Sequence, residues 1–231
     1  MYANSSTFTT NKSKVIGSIA DEKNNKAYFL VAAPDFDVTA TSISTLTTWF
    51  DEIVEIDDLG FNKVVVRDLF AITTTRTLAE LEATAGGNSI TISSGYNDLF
   101  QVGMRIQLYA SNGTALLTSN TKILTVSGTT VTVDKKIPTA INSGTCSFVK
   151  AWKPKTLGFS QEHRITGLNV IDDFLFFTDG QTEPKKVNIR RSIDGTEQTS
   201  SGFTTTSSTN TKLHLDHQAG GGSKPITDFE S

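Results

Sequence analysis

Apolar residues in this chain come in short runs, and nearly every run is closed by Asn, Asp or Gly. Val15-Ile16-Gly17-Ser18-Ile19-Ala20 gives way to the polar stretch Asp21-Glu22-Lys23-Asn24-Asn25-Lys26. Ala27-Tyr28-Phe29-Leu30-Val31 follows, and Pro34 closes it. Strand, Asn-rich turn, strand is a hairpin signature, because Asn and Asp bond nearby backbone and tolerate the left-handed conformation. This punctuation excludes a coiled coil, since no heptad persists, and a membrane-spanning helix, which needs roughly 18–20 apolar residues in a row. Composition agrees: Thr, with 35 of 231 residues, and Val, Ile and Phe favour strands over helices, and with 22 Ser about a quarter of the chain carries a small hydroxyl. The charged fraction, 19%, is low, yet the apolar runs are too many for a disordered chain. The expectation is an all-β protein with a core of its own.

The same punctuation organises the chain. Residues 1–13 read as a polar arm. Trp49-Phe50-Asp51-Glu52-Ile53-Val54-Glu55-Ile56 and Lys63-Val64-Val65-Val66-Arg67-Asp68-Leu69 read as strands around the breaker Gly60. Thr77-Leu78-Ala79-Glu80 fits a capping box, Leu78, Leu81 and Ala85 keep helical spacing, and Gly86-Gly87 closes the segment, so one short helix is expected there. From Ser89 to Ala151 the pattern is all strand, with Asn112-Gly113 and Ser127-Gly128 as turn pairs. About five short strands in that stretch suggest a small barrel or sandwich. After Pro154 the first texture returns: Ile165-Thr166-Gly167-Leu168-Asn169-Val170-Ile171, then Asp172-Asp173, then Phe174-Leu175-Phe176-Phe177-Thr178, with Val187-Asn188-Ile189 as a further strand. Residues 15–31 and 165–178 therefore read as copies of one hairpin, and repeated antiparallel units sharing a core are how propellers are built. The expected organisation is an arm and first propeller-like unit over 1–72, an inserted small β domain over 73–150, and a second unit with a Ser/Thr/Gly-rich tail over 151–231. Two units do not close a propeller, so the chain is expected to be part of a longer one or to be completed by partners.

Catalytic apparatus is not visible. There is no phosphate loop and no nucleophile elbow, and Gly220-Gly221-Gly222 reads as linker. The lone Cys146 forms no internal disulfide and reads as a small buried apolar residue. His214-Leu215-Asp216-His217 has metal-like residues, but on a strand only His214 and Asp216 share a face; with His163 elsewhere, solvated surface is the default. Asp172, Asp173, Asp179 and Glu183 offer paired carboxylates for acid/base work, set against the plainer reading of Asp as a turn residue. Lys185, Lys186, Arg190 and Arg191 could meet phosphate or an acidic partner, and pairing with acidic turns or a subunit interface fits better. Net charge is −3, which argues weakly against nucleic acid as the main partner, and the split of +2 on residues 73–150 and −5 elsewhere is too small an asymmetry for steering. The first residues show no secretion signal. No catalytic, cofactor-binding or metal residue is therefore assigned, and no cofactor is expected.

Residues 165–192 resemble a segment of virion structural proteins of tailed bacteriophages of the marine and crAss-like kinds. The shared pattern is a strand with Gly and Asn, Ile-Asp, an aromatic strand ending Thr-Asp, then Glu-Pro-Lys-Lys and Asn-Ile. Residues 15–31 and Ile53–Asp57 resemble the hairpin and strand of the same proteins. The resemblance implies a propeller-like tail component: a nozzle, muzzle, adaptor or baseplate protein. It would be non-enzymatic and would assemble as a homo-oligomeric ring around the DNA channel with other virion proteins. No membrane and no sequence-specific nucleic acid would be involved. It would be located in the phage tail and made in the host cytoplasm. A glycan- or fibre-binding β module is the alternative, for which Tyr96, Tyr109 and Trp152 are the candidate aromatics. A polysaccharide hydrolase fragment, with Asp172 or Asp179 and Glu183 as acids, comes after it.

Overall fold

The computed structural model describes residues 13–39, 47–74, 81–92, 100–196, 211, 214–215 and 224–225. The expected all-β class holds. Ten strands form one antiparallel sheet, three form a second, and one six-residue helix follows the second. The first four strands, β1 (Lys14–Asp21), β2 (Lys26–Ala32), β3 (Thr47–Asp57) and β4 (Asn62–Thr74), are a meander in chain order. The ladder then leaves chain order. β4 pairs with β10 (Phe148–Trp152), and the sheet continues through β7 (Arg105–Tyr109), β8 (Thr121–Ser127), β9 (Thr130–Val133), β6 (Ser89–Thr91) and β5 (Glu82–Ala83). The second sheet is β11 (Gly167–Ile171), β12 (Phe174–Thr178) and β13 (Lys185–Asn188), followed by α1 (Ile189–Asp194). Two further short strands, β14 (His214–Leu215) and β15 (Lys224–Pro225), pair with each other.

The turns form for local reasons. The Asp21 carboxylate accepts from both the backbone and side-chain nitrogens of Asn24, and Asn25 takes the left-handed conformation at φ 53°. Asp172 does the same at φ 52° between β11 and β12, so the two resembling hairpins share a turn device. They also meet in space: the Ile165 amide donates to the Ile16 carbonyl at 3.0 Å. Gly17 permits this, because a Cβ there would lie 2.8 Å from the Ile165 Cβ.

The described core falls into two main clusters. One joins Ile16, Tyr28, Leu30, Ile53 and Val65 to Leu157, Phe159, Leu175, Phe177 and Ile189, so the second sheet packs on the first strands of the large one. The other gathers β5 to β10 around Ile90, Ile106, Leu108, Ile123, Val131 and Val149. β4 serves both, giving Val65 to the first and Leu69 and Ile72 to the second. A small cluster of Ala33, Phe70 and Ala71 lies under Phe36, Trp49 and Trp152.

The helix is not where the capping box put it. Residues 77–80 lie outside the described residues, Glu82–Ala83 is a strand paired with Ser89–Thr91, and Leu81 is fully buried in the second core. The helical spacing of Leu81 and Ala85 loses to cross-strand pairing, which also satisfies the Ala83 amide through Ile141. The helix is instead α1, which starts at Ile189 where a strand was expected. Asn188 caps it by accepting from the Arg191 amide at 2.9 Å. The arm over residues 1–12 and most of the tail lie outside the described residues.

Candidate functional site

At one end of the meander three acidic turns come together. The β1–β2 turn and the β3–β4 tip are brought to the same end by the pairing of Asp21 with Lys26 and of Lys26 with Asp57. The β11–β12 turn and α1 face them across a cleft of about 310 Å³. Its walls include Asp21, Glu55, Asp172, Asp173 and Asp194, against Lys26, Lys63 and Arg190. At its floor the buried Glu55 carboxylate is satisfied twice, by the Tyr28 hydroxyl at 3.0 Å and by Lys26 at 2.9 Å. Burial and the Glu55 charge push the Tyr28 phenol above its ordinary range, so it stays a hydrogen-bond donor. The floor charge is thus neutralised within the cleft, while Asp172, Asp173 and Asp194 are exposed at the rim. The arrangement suits reception of a cationic group.

The structure divides the four carboxylates singled out in the sequence between the two ends of β12, with Glu183 exposed beyond the far end, on the side of Asp179. Asp172 and Asp173 line this cleft. Asp179 lies past the other end of β12, six residues from Asp173 and roughly 20 Å away at the ~3.3 Å rise of a strand. Carboxylate pairs that cleave glycosides stand about 5–9.5 Å apart, so the two ends of β12 do not make such a pair. Asp179 organises its own turn, accepting from the Gln181 amide at 2.9 Å and the Thr182 amide at 2.8 Å. Those donors hold it down at about 2. Lys185 donates to the Thr182 hydroxyl, and Lys186 lies over the Phe174 ring at 4.8 Å. Arg190 reaches the cleft.

The remaining candidates are placed as follows. Cys146 is buried, and burial pushes its thiol up to about 11, which leaves it unreactive at neutral pH. Tyr109 stacks on Phe148 at 4.5 Å and Trp152 packs near Phe36 at 6.2 Å, so neither forms an open aromatic platform. Tyr96, Asp216 and His217 lie outside the described residues. Among the described residues no group of three or more His, Cys, Asp or Glu is placed to hold a metal ion, and no helix is long and apolar enough to cross a membrane.

What the sequence reading missed is a set of buried charges in the middle of β3 and β4. Glu52 sits opposite Arg67, which holds it with two nitrogens at 2.6 and 2.5 Å, and both side chains are buried. On the next rung Asp51 sits opposite Asp68, both again buried. Two like charges are tolerated there because other segments supply donors. Asp68 accepts from the Thr156 and Leu157 amides and from Lys153 at 3.3 Å. Asp51 accepts from the Ala33 amide at 3.0 Å and faces Lys155 at 3.5 Å. Lys155 is a hub: it also meets Asp35 at 3.4 Å, the Phe159 carbonyl at 2.9 Å and the Phe70 ring at 4.6 Å. Among the described residues the second Asp51 oxygen has no hydrogen-bond partner. Burial, with Asp68 adding to it, pushes Asp51 up to about 7 despite Lys155. This network pins the 153–159 crossover, which leads from β10 to the second sheet, onto the meander.

No family model and no curated protein matches this chain. Among solved structures it is similar to a phage phi92 endosialidase at 12% identity and a TM-score of 0.27. That match covers 71% of this chain and 27% of the endosialidase.

Proposed function

We propose that this chain is a non-enzymatic structural component of a bacteriophage tail, in the nozzle, adaptor or baseplate region, working through subunit interfaces in a ring around the DNA channel. The observation that carries the reading is that the segments resembling phage virion proteins fold against one another. Residues 15–31, 53–57 and 165–192 contribute Ile16, Tyr28, Leu30, Ile53, Leu175, Phe177 and Ile189 to one core. β1 to β4 form a four-stranded antiparallel meander, the connectivity of one propeller blade. In this reading residues 73–150 are an insertion whose core is shared with Leu69 and Ile72 of β4 and Ala151 of β10, and they decorate the ring. The buried charges of β3 and β4 hold strands and the 153–159 crossover together.

The test is a blot of purified virions of the encoding phage, with antibody raised against the full chain, followed by immunogold electron microscopy. Gold on the tail is the expected result, and its height distinguishes a portal-proximal nozzle from a distal baseplate. Absence of the chain from virions by blot overturns the reading.

A further inference from the structure

The geometry points to a head-to-tail contact in which the acidic cleft at the hairpin tips of one copy receives a basic corner on a second copy of this chain. The corner is built around the turn before β8. Arg105 and Lys122 are cross-strand partners on β7 and β8, both exposed and both cationic. Like charges directly opposite each other destabilise a sheet unless an anion answers them. Lys135 adds a third cation, donating to the Ser119 carbonyl at 2.6 Å, and Lys136 a fourth. Among the described residues no carboxylate forms an ion pair with any of the four. The nearest acid, Asp134, accepts from the Lys122 backbone amide instead.

Apolar side chains accompany both surfaces. Seven large hydrophobic residues are exposed among the described residues, and five of them flank these two places. Leu59 at 77% and Phe61 at 68% exposure stand on the β3–β4 tip, just ahead of cleft residue Lys63, and Ile171 precedes Asp172. Asp57 stiffens that tip by accepting from the Leu59 and Phe61 amides at 3.1 and 2.8 Å. Beside the corner, Leu124 follows Lys122 on β8, and the Gly103 amide bonds the Ile123 carbonyl at 2.9 Å, which holds Val102 alongside. Each surface thus pairs apolar area with charge, and the charges are opposite.

One copy does not join its own two surfaces. From Lys63 to Ala71 along β4 is roughly 26 Å, and the three strand steps from Ala71 through Trp152 and Arg105 to Lys122 add about 14 Å across the sheet. Two different patches on one chain that fit each other make a heterologous contact, which closes into a ring when the rotation allows. The inference deepens the ring reading by naming the contact, and it rests on that reading.

The experiment uses the full chain with one double and one triple variant and mass photometry at ~50 mM and ~500 mM NaCl, where screening differs strongly. Asp173→Lys with Asp194→Lys makes the cleft basic; Lys122→Glu with Lys135→Glu and Lys136→Glu makes the corner acidic, with Arg105 left as its cation. The wild type is expected to associate at low salt and dissociate at high salt. Each variant alone is expected to bind itself at least about tenfold more weakly. Mixing the two restores association, because the basic cleft of one meets the acidic corner of the other. Restoration also shows that both variants are folded. A wild type that stays monomeric at low salt overturns the contact, as does a mixture that fails to associate while both variants keep the wild-type circular dichroism. Binding of the wild type to a single-stranded DNA oligonucleotide, lost in the corner variant, would assign the corner to nucleic acid and overturn it too. These outcomes are independent of the virion blot, so failure of the contact and failure of the tail reading are told apart.

Discussion

Two adjacent rungs of the β3–β4 ladder solve the same problem differently. Glu52 and Arg67 are opposite charges facing each other, and the rung is complete within one hairpin. Asp51 and Asp68 are like charges facing each other, and that rung depends on Lys155, Lys153 and the 156–157 amides brought in from a distant part of the chain. The first rung fixes register. The second makes the meander's integrity depend on the crossover being docked. A buried pair of charges stabilises only while both partners are present, because each alone has lost its water.

The largest effect is therefore expected on breaking the first rung. Arg67→Met strands Glu52, which is 1% exposed, and removes a cation 4.8 Å over the Phe50 ring. Unfolding in urea is expected to show a loss of about 3–5 kcal/mol. Replacing both partners, as Glu52→Leu with Arg67→Met, is expected to recover most of it. If the double variant is no better than the single one, the rung acts through something other than mutual neutralisation.

The second rung is sharpened by pH. Asp51 faces Lys155 and Asp68, and behind them stand Asp35 and Lys153. In the folded chain Asp51 holds its proton up to about 7, whereas in the unfolded chain it releases it near 3.9. The folded state binds more protons in between, so this group's contribution is fully present below about pH 4 and is lost as pH rises towards 7. Asp51→Asn removes that dependence. Urea midpoints at pH 5 and pH 8.5 are expected to move apart between wild type and variant by roughly 2–4 kcal/mol, with the variant gaining at the higher pH. Parallel profiles would mean that Lys155 keeps Asp51 ionised throughout.

A smaller effect is expected where the two resembling hairpins touch. Gly17→Ala places a methyl 2.8 Å from the Ile165 Cβ, so β1 or the second sheet must shift. The expected cost is about 1–3 kcal/mol, with faster amide exchange at Ile165, whose bond to the Ile16 carbonyl spans the joint. Unchanged exchange there would show that the joint has slack.

Much of this was legible in the sequence, and the illegible part has a physical cause. The hairpin over 15–31 and the one over 165–178 could be read because Asp and Asn at Asp21, Asn25 and Asp172 encode turns locally. The strands of 89–151 and the burial of Cys146 were legible for the same kind of reason. The buried rungs were not. Counting back from the β3–β4 tip without interruption sets Glu52 against Val66; a bulge between Ile53 and Val54 shifts the register by one and sets it against Arg67. No residue type at the bulge announces it. The signal available was indirect: Asp51-Glu52 stands between Trp49-Phe50 and Ile53-Val54, and Arg67-Asp68 between Val64-Val65-Val66 and Leu69-Phe70. The cleft was half legible, since Asp172 and Asp173 were singled out. Their meeting with Asp21 and Glu55 depends on packing between sheets about 150 residues apart in the chain. The helix expected near 77–85 failed because Leu81 is worth more in the second core than on a short, weakly nucleated helix.

The smallest expected effect comes from the carboxylate that most resembles Asp51 in the sequence and least resembles it in the fold. Asp179 likewise stands close to an aromatic strand, yet it lies just past the end of β12, half-buried in a turn of its own, and accepts from two amides and the Thr182 hydroxyl. Its folded form ionises near 2 instead of near 3.9, so it stabilises the chain above about pH 4 and that contribution is lost as pH falls towards 2. The sign is opposite to that of Asp51. Asp179→Ala is expected to cost about 1 kcal/mol at pH 7, the part of the effect that survives solvent screening, and roughly a third of that at pH 2.5, read from urea unfolding at the two values. A combined Asp51→Asn and Asp179→Ala variant then has the flattest pH profile of the set. The two sites share no partner, so their separate effects are expected to add within about 0.5 kcal/mol. A large coupling between them would mean that the turn beyond β12 and the crossover pinned by Lys155 open together, which would make the second sheet and the 153–159 segment one cooperative unit.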